Sequence, residues 1–269
     1  MKKLTFSAGA LMAMLALTGC STPQSQDAQA RLANQSVLAL NWLQQSGEYQ
    51  ALCYQAFNSA RLAFDAAPVK PGKKKVVVVD IDETMLDNSA YSGWQAKEHT
   101  SFNPLSWNRW SHARQALAVP GAVEFTRYVN SHGGQVFYVS NRLIIEAGDT
   151  RDNMIKLGFP DVNDQTLWLS KGNSNKQARF DDIAAQGNDI VLYVGDNLND
   201  FGAATYHKDN TARRAFVSNN QAKFGTQFII LPNPLYGDWE SGLSSNYNSL
   251  TPEQKLQIRD QQIRAWNGQ

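Results

Sequence analysis

Six side chains spread along the sequence, Asp80, Asp82, Ser140, Lys176, Asp196 and Asp200, are of the types that handle phosphoryl groups and hard cations. Val79-Asp80-Ile81-Asp82-Glu83-Thr84 closes a β-branched run. Strand side chains alternate with period two, so Asp80 and Asp82 leave the strand on one side. Two carboxylates that close repel, and the pKa of one rises unless a cation sits between them. The pair suits an ionised nucleophile and a protonatable acid/base. A carboxylate nucleophile splits a phosphoryl displacement into two steps. Because the phosphate would repel it, a hard divalent cation must neutralise both, and Mg2+ is the natural choice. Taken alone, the motif equally describes paired acids capping the helix after a strand.

The other candidates also sit at predicted strand ends or helix starts. Ser140 follows a strand over Gln135–Val139 and can donate to a phosphoryl oxygen, or cap a helix. Lys176 opens a predicted helix, where its ammonium can neutralise phosphate and nucleophile; Lys171, a few residues earlier, competes for that role, and a solvated surface charge is the plain alternative. Val194-Gly195-Asp196-Asn197-Leu198-Asn199-Asp200-Phe201 places one carboxylate at a third strand tip and another four residues on. These are the expected remaining metal ligand and its outer-shell acid. Arg142 can touch phosphate or substrate, or form a structural salt bridge.

The elements that must position these groups follow from periodicity. Val76-Val77-Val78-Val79 is too uniform for a half-exposed strand and reads as a central strand buried on both faces. Further strands are predicted at Thr166–Leu169, Asp189–Val194 and Gln227–Leu231. Helices are predicted at Arg31–Gln45, Glu48–Ala66, from Pro120-Gly121 to Ser131, at Glu146–Leu157 and at Lys176–Gln186. Thr251-Pro252-Glu253-Gln254 has the form of a capping box and opens a C-terminal helix. Alternating strands and helices imply a parallel α/β sheet with right-handed crossovers, whose ligands bind at the carboxyl ends of strands. The segment 87–119 reads as an irregular inserted cap carrying Tyr91, Trp94, Phe102, Trp107 and Trp110. Tyr91, Trp107 and Trp110, with Tyr236 in Asn233-Pro234-Leu235-Tyr236-Gly237, can offer flat faces to a base or aryl group at about 1–3 kcal/mol per stack. Packing of the cap against the core is the competing role.

Hydrophobic residues form 42% of the 269 and charged residues 18%, which excludes a disordered or fibrous chain. A net charge of +1 provides no bulk basic field for a nucleic acid polymer. Lys2-Lys3 and the apolar Leu4–Leu17 form a leader shorter than the roughly 20 residues of a membrane span. Leu17-Thr18-Gly19-Cys20 resembles the bacterial lipobox, which implies cleavage before Cys20 and a lipid on its sulfur; Ser21 then implies outer-membrane transport. The expected organisation is a lipoprotein signal peptide over 1–19, lipidated Cys20 and a polar spacer over 20–30, and one domain over 31–269, helical over 31–66. Cys53 lies on a helical stripe with Tyr49 and Phe57 and reads as a packed core thiol.

Asp80-Ile81-Asp82-Glu83-Thr84, Ser140, Lys176 and Gly195-Asp196 with Asp200 resemble the four motifs of the haloacid dehalogenase superfamily. More narrowly, the stretch from Val78 through Asp87-Asn88-Ser89-Ala90 to Tyr91, and that from Val194 to Phe201, are similar to the two signatures of class C bacterial acid phosphatases, the lipoprotein e type 5′-nucleotidases. The resemblance implies a Rossmann-like sheet flanked by helices with a cap. It implies Asp80 as nucleophile and Asp82 as acid/base, with Mg2+ held by Asp80, the Asp82 backbone carbonyl and Asp196, and Asp200 acting through water. It also implies an acidic optimum, an aspartyl-phosphate intermediate, and small substrates such as nucleoside 5′-monophosphates, nicotinamide mononucleotide and aryl phosphates. A homodimer is left open. Competing readings are a phosphotransferase or mutase on the same scaffold, a non-catalytic cation-binding surface lipoprotein, and a receiver-type phosphoacceptor.

Overall fold

The computed structural model describes residues 23–269. The leader, Cys20 and Ser21, on which the anchoring expectation rests, lie outside the described residues. No helix among the described residues is long and apolar enough to cross a membrane.

Five parallel strands form the central sheet in the order β5-β4-β1-β6-β7. They are β1 (Lys74–Val79), β4 (Gln135–Leu143), β5 (Leu167–Ser170), β6 (Asn188–Gly195) and β7 (Phe228–Ile230). The valine run sits at the centre of this sheet. Val77 and Val79 face one layer with Phe57, Phe64 and Phe125, and Val76 and Val78 face the other with Phe180 and Ile183. All four valines are buried, which is why β1 lacks the alternation of a one-sided strand. The first layer contains α3 (Gly47–Ala66) and α6 (Ala122–Ser131), and the second contains α8 (Gln177–Ala185). Cys53 is fully buried within the first layer, and burial pushes its thiol up to about 11.

Several elements depart from the sequence expectation. The polar stretch expected as spacer is helical from Pro23, as part of α1 (Pro23–Gln35), which is followed by α2 (Val37–Gln45). α1 lies along α11 (Pro252–Gln261), with Arg259 donating to Gln35 at 2.6 Å. Strand β4 runs on past Val139, because it regains pairing with β5 at Leu143 and Ser170 after a register shift. Ser140 and Arg142 therefore lie within the strand rather than beyond it.

The 87–119 insert is not irregular. It holds α4 (Ser89–Lys97) and α5 (Pro104–Ala113), framed by a two-stranded antiparallel pair, β2 (Leu86–Asp87) and β3 (Leu117–Ala118). Asn103 caps α5 by accepting from Leu105 N at 2.8 Å, with Pro104 in the first turn. The remaining helices are α7 (Ala147–Leu157), α9 (Asn210–Asn219) and α10 (Asp238–Ser241).

Candidate active site

Strand register brings the acids together. Val79 of β1 pairs with Tyr138 of β4 on one side and Val194 of β6 on the other. Asp80 follows Val79, Ser140 lies two residues past Tyr138, and Asp196 two past Val194, so all three emerge at one end of adjacent strands. The Asp80 amide extends the ladder, donating to Val194 O at 2.8 Å. The end of β5 leads to Lys176, and the end of β7 leads to Asn233. Chain direction across the sheet reverses at β1, the switch point where open α/β sheets form a crevice.

Asp80 is buried, with the Lys176 ammonium on Oδ1 and Thr84 Oγ1 at 3.3 Å from Oδ2. Lys176 is itself buried and also reaches Asp200 Oδ1 at 2.8 Å. Lys171 is exposed, and of the two lysines it is Lys176 that contacts Asp80. Asp196 accepts from Thr84 Oγ1 at 3.4 Å and from Asn233 Nδ2 at 2.8 Å. Asp200 Oδ2 accepts from the Asn197 amide at 3.0 Å, which closes a 3-10 turn over Leu198–Phe201. Gly195 permits this turn, because a Cβ there would lie 2.3 Å from the Asp200 side chain.

One oxygen each of Asp80, Asp196 and Asp200 lies within 4.8 Å of the others. Burial pushes the Asp80 carboxyl up to about 7; Lys176 pulls it down, while Asp200 and Asp82 add to the rise. Burial, then Asp200 and Asp80, drive Asp196 well above the carboxylate range. Three crowded carboxylates against one ammonium leave negative charge uncompensated. The donor set is all hard oxygen, so the residues fit a small divalent cation.

The Asp82 carboxylate is not part of that cluster. Its Oδ1 accepts from Arg142 Nε and Asn88 Nδ2, both at 2.9 Å, and lies in ion-pair contact with Arg142 Nη2 at 2.8 Å. Its Oδ2 receives one donor, Ser140 Oγ, at 3.2 Å. Oδ2 is thus the less occupied of the two oxygens. Arg142 is buried, with Nη1 donating to Thr150 Oγ1 at 3.1 Å and its guanidinium 5.3 Å from the Trp107 ring centroid. Of the two roles open to Arg142 in the sequence, the structure displays the structural ion pair.

The aromatic candidates divide. Tyr91 is buried inside the insert, hydrogen-bonded to Ser106, stacked on Trp94 and edge-on to Trp107; it supports the cap. Trp110 donates to Asn88 Oδ1 at 2.8 Å and so braces the residue that holds Asp82. Trp107 is half-buried, while Tyr236 is exposed and donates its hydroxyl to Glu83. Glu83 has a left-handed backbone, φ 58°, and also accepts from Asn88 N at 2.8 Å, which turns the chain back toward β2 directly after the acids. Sequence reasoning gave no role to Thr84, Asn88 or Asn233. All three lie inside quoted segments, and Asn233 also sits just past a predicted strand, which was the available signal.

A parallel α/β sheet that gathers aspartates, a lysine and a hydroxyl at its carboxyl edge, beneath a helical insert, defines a phosphoryl-handling class of protein. The model of the haloacid dehalogenase (HAD) superfamily, subfamily IIIB (acid phosphatase), matches residues 7–239. A class C acid phosphatase from Bacillus anthracis superposes with a TM-score of 0.82 at 34% identity, covering 88% of this chain and 100% of that one. A tungstate-bound structure of the class C enzyme from the same organism gives 0.82 at 33% identity, with the same coverage of 88% and 100%. Two stem 31 kDa glycoproteins of Glycine max are 25% identical over 130 residues and 24% identical over 208; this chain spans 51% and 65% of their lengths. The chain belongs to the HAD superfamily, subfamily IIIB, the acid phosphatases.

Proposed function

We propose that the chain is a Mg2+-dependent acid phosphatase that hydrolyses small phosphomonoesters, among them nucleoside 5′-monophosphates, nicotinamide mononucleotide and aryl phosphates. The observation that carries this reading is the convergence of Asp80, Asp196 and Asp200 within 4.8 Å, with Lys176 beside them. The oxyanion in the tungstate-bound relative is chemically akin to phosphate and supports it.

An Asp80 oxygen attacks phosphorus and forms an aspartyl-phosphate as the ester P–O bond breaks. Asp82, protonated at Oδ2, delivers that proton to the departing oxygen. Once Oδ2 carries a proton it no longer accepts from the Ser140 hydroxyl, which can then donate to a phosphoryl oxygen, while Lys176 offsets phosphoryl charge. Asp82 then removes a proton from water as the water attacks phosphorus, the Asp80–phosphate bond breaks and phosphate leaves. Asp80, the Asp82 backbone carbonyl and Asp196 would hold Mg2+, with Asp200 behind, and the ion when bound supplies charge neutralisation for phosphate and nucleophile. With the cation and Lys176 holding Asp80 ionised, a first step that starts from protonated Asp82 calls for an acidic optimum. Tyr236 and Trp107 would contact the leaving group without reading base identity.

Protein lacking the leader, beginning at Ser21, should hydrolyse p-nitrophenyl phosphate, stop with EDTA and recover with Mg2+. Turnover that survives Asp80→Asn would overturn the reading. Attachment through Cys20 to the outer membrane completes the proposal. Cys20→Ser should then abolish incorporation of labelled palmitate, and unchanged labelling would remove the anchor from the account.

A further inference from the structure

Arg213 is a charged side chain that the mechanism does not use, yet it is only 4% exposed. It projects from α9 onto the back of the loop that supplies Asp196 and Asp200. Its Nη2 donates to Asn197 Oδ1 at 2.9 Å, and its Nη1 donates to Asn199 Oδ1 and Thr205 O, both at 3.0 Å. Asn197 and Asn199 are two of the three residues between the two acids. Asn197 caps the turn through the same oxygen, accepting from Asn199 N at 3.1 Å, and its amide holds Asp200.

A second strut comes from the other direction. Asn199 Nδ2 donates to Asp238 Oδ2 at 2.6 Å, and Arg213 lies 3.9 Å from that same oxygen. Asp238 follows Gly237, whose φ of 140° suits glycine and at which a Cβ would come within 3.0 Å of Asn197. The loop is therefore gripped on both sides by groups that touch none of the clustered carboxylates.

We propose that Arg213, braced by Asp238, is a positioning residue that keeps the Asp196–Asp200 loop in the geometry that receives a divalent cation. This rests on the reading that the three aspartates hold such an ion. A buried guanidinium with three acceptors fixes side-chain direction in a way that a solvated cation does not, and outer partners of metal ligands typically govern about 10–100-fold in affinity.

The test is direct binding of Mn2+, followed by electron paramagnetic resonance, together with activity titrated against Mg2+. Both use the full described chain as parent, Arg213→Lys, Arg213→Gln and Asp238→Asn. Arg213→Gln should weaken Mn2+ binding about 10–100-fold, with Arg213→Lys in between. Asp238→Asn, at a half-buried position where folding is safer, should shift in the same direction. The Mg2+ concentration for half-maximal turnover should rise in parallel, while kcat at saturating Mg2+ returns to within about threefold of the parent. Unchanged Mn2+ affinity in Arg213→Gln and Asp238→Asn overturns the assignment, as does a kcat loss that no Mg2+ concentration repairs. A parent that binds no Mn2+ at all would instead sink the underlying reading of the cluster, a result distinguishable from the other two.

Discussion

Replacing Arg142 by Met keeps length and apolar bulk while removing the guanidinium that fixes Asp82. Arg142 gives that carboxylate one of its three hydrogen bonds, from Nε at 2.9 Å, and an ion-pair contact from Nη2 at 2.8 Å. A hydrogen bond to a charged group is worth about 1.5–3 kcal/mol, but the Asp82 side chain is 20% exposed, so water replaces part of the loss. A net loss of about 2–3 kcal/mol in holding the acid where it must act corresponds to about 30–150-fold in rate. The loss belongs in kcat, because Arg142 contacts the acid rather than the position of the phosphoryl group. It should also depend on the leaving group. Nitrophenolate departs with little help from a proton, whereas an alkoxide such as the 5′-oxygen of a nucleotide does not. Kinetics with p-nitrophenyl phosphate and AMP should therefore show the larger kcat loss for AMP, with KM changed by less than about threefold, and Arg142→Lys should recover part of it. Thermal melting provides the control, since the orphaned Thr150 and Asn88 partners cost stability whatever happens at the site. A KM that rises for both substrates at unchanged kcat would show that Arg142 binds substrate, and equal kcat losses for the two esters would refute the positioning of a proton donor.

Two further outcomes follow from the same geometry. In metal-free protein, the raised Asp80 and Asp196 carboxyls bind more protons folded than unfolded; their stabilising contribution is complete below the ordinary carboxylate range and is lost as pH rises toward about 7 for Asp80. The melting temperature with EDTA should thus be lower at pH 7.5 than at pH 5.5, and saturating Mg2+ should shrink that difference; a gap unaffected by Mg2+ would place its origin elsewhere. Tyr236→Ala should raise KM for AMP by about 5–150-fold, the loss of one stack, and Tyr236→Phe, which retains the ring and gives up only the bond to Glu83, should raise it far less. An unchanged KM in Tyr236→Ala would remove that ring from the leaving-group surface.

The catalytic half of the site was legible because it hangs on the sheet. A four-valine run reads as a doubly covered strand, and Asp80 and Asp196 each sit one residue past a paired strand residue, so locating the strands located these two acids. The insert was harder. α4 and α5 bury few residues and mix tryptophans with Ser, Asn and Gly93, so neither helical nor strand periodicity stands out; the Asn103-Pro104 start signal was there to be read. α9 was missed because Arg213 is its one buried residue. An arginine that faces inward can be recognised only once the loop opposite, with Asn197, Asn199 and Thr205, is in place. The helical start at Pro23 was obscured in the same way, its Gln- and Ser-rich stretch gaining a buried face at Ala28 and a neighbour in α11.

The β1 register has a consequence for how such a protein can diversify. Asp80 and Asp196 owe their meeting to backbone pairing, so drift in surface segments leaves the reaction untouched, while a one-residue slip in the sheet would destroy it outright. The insert lies outside that pairing and can be exchanged to suit new esters, whereas the Tyr236 segment is tied to the site by Asn233, which donates to Asp196, and by Asp238, which accepts from Asn199. Asn88 and Trp110 are the exception: they belong to the interchangeable part yet hold Asp82, so a transplanted cap would have to bring its own replacements for them.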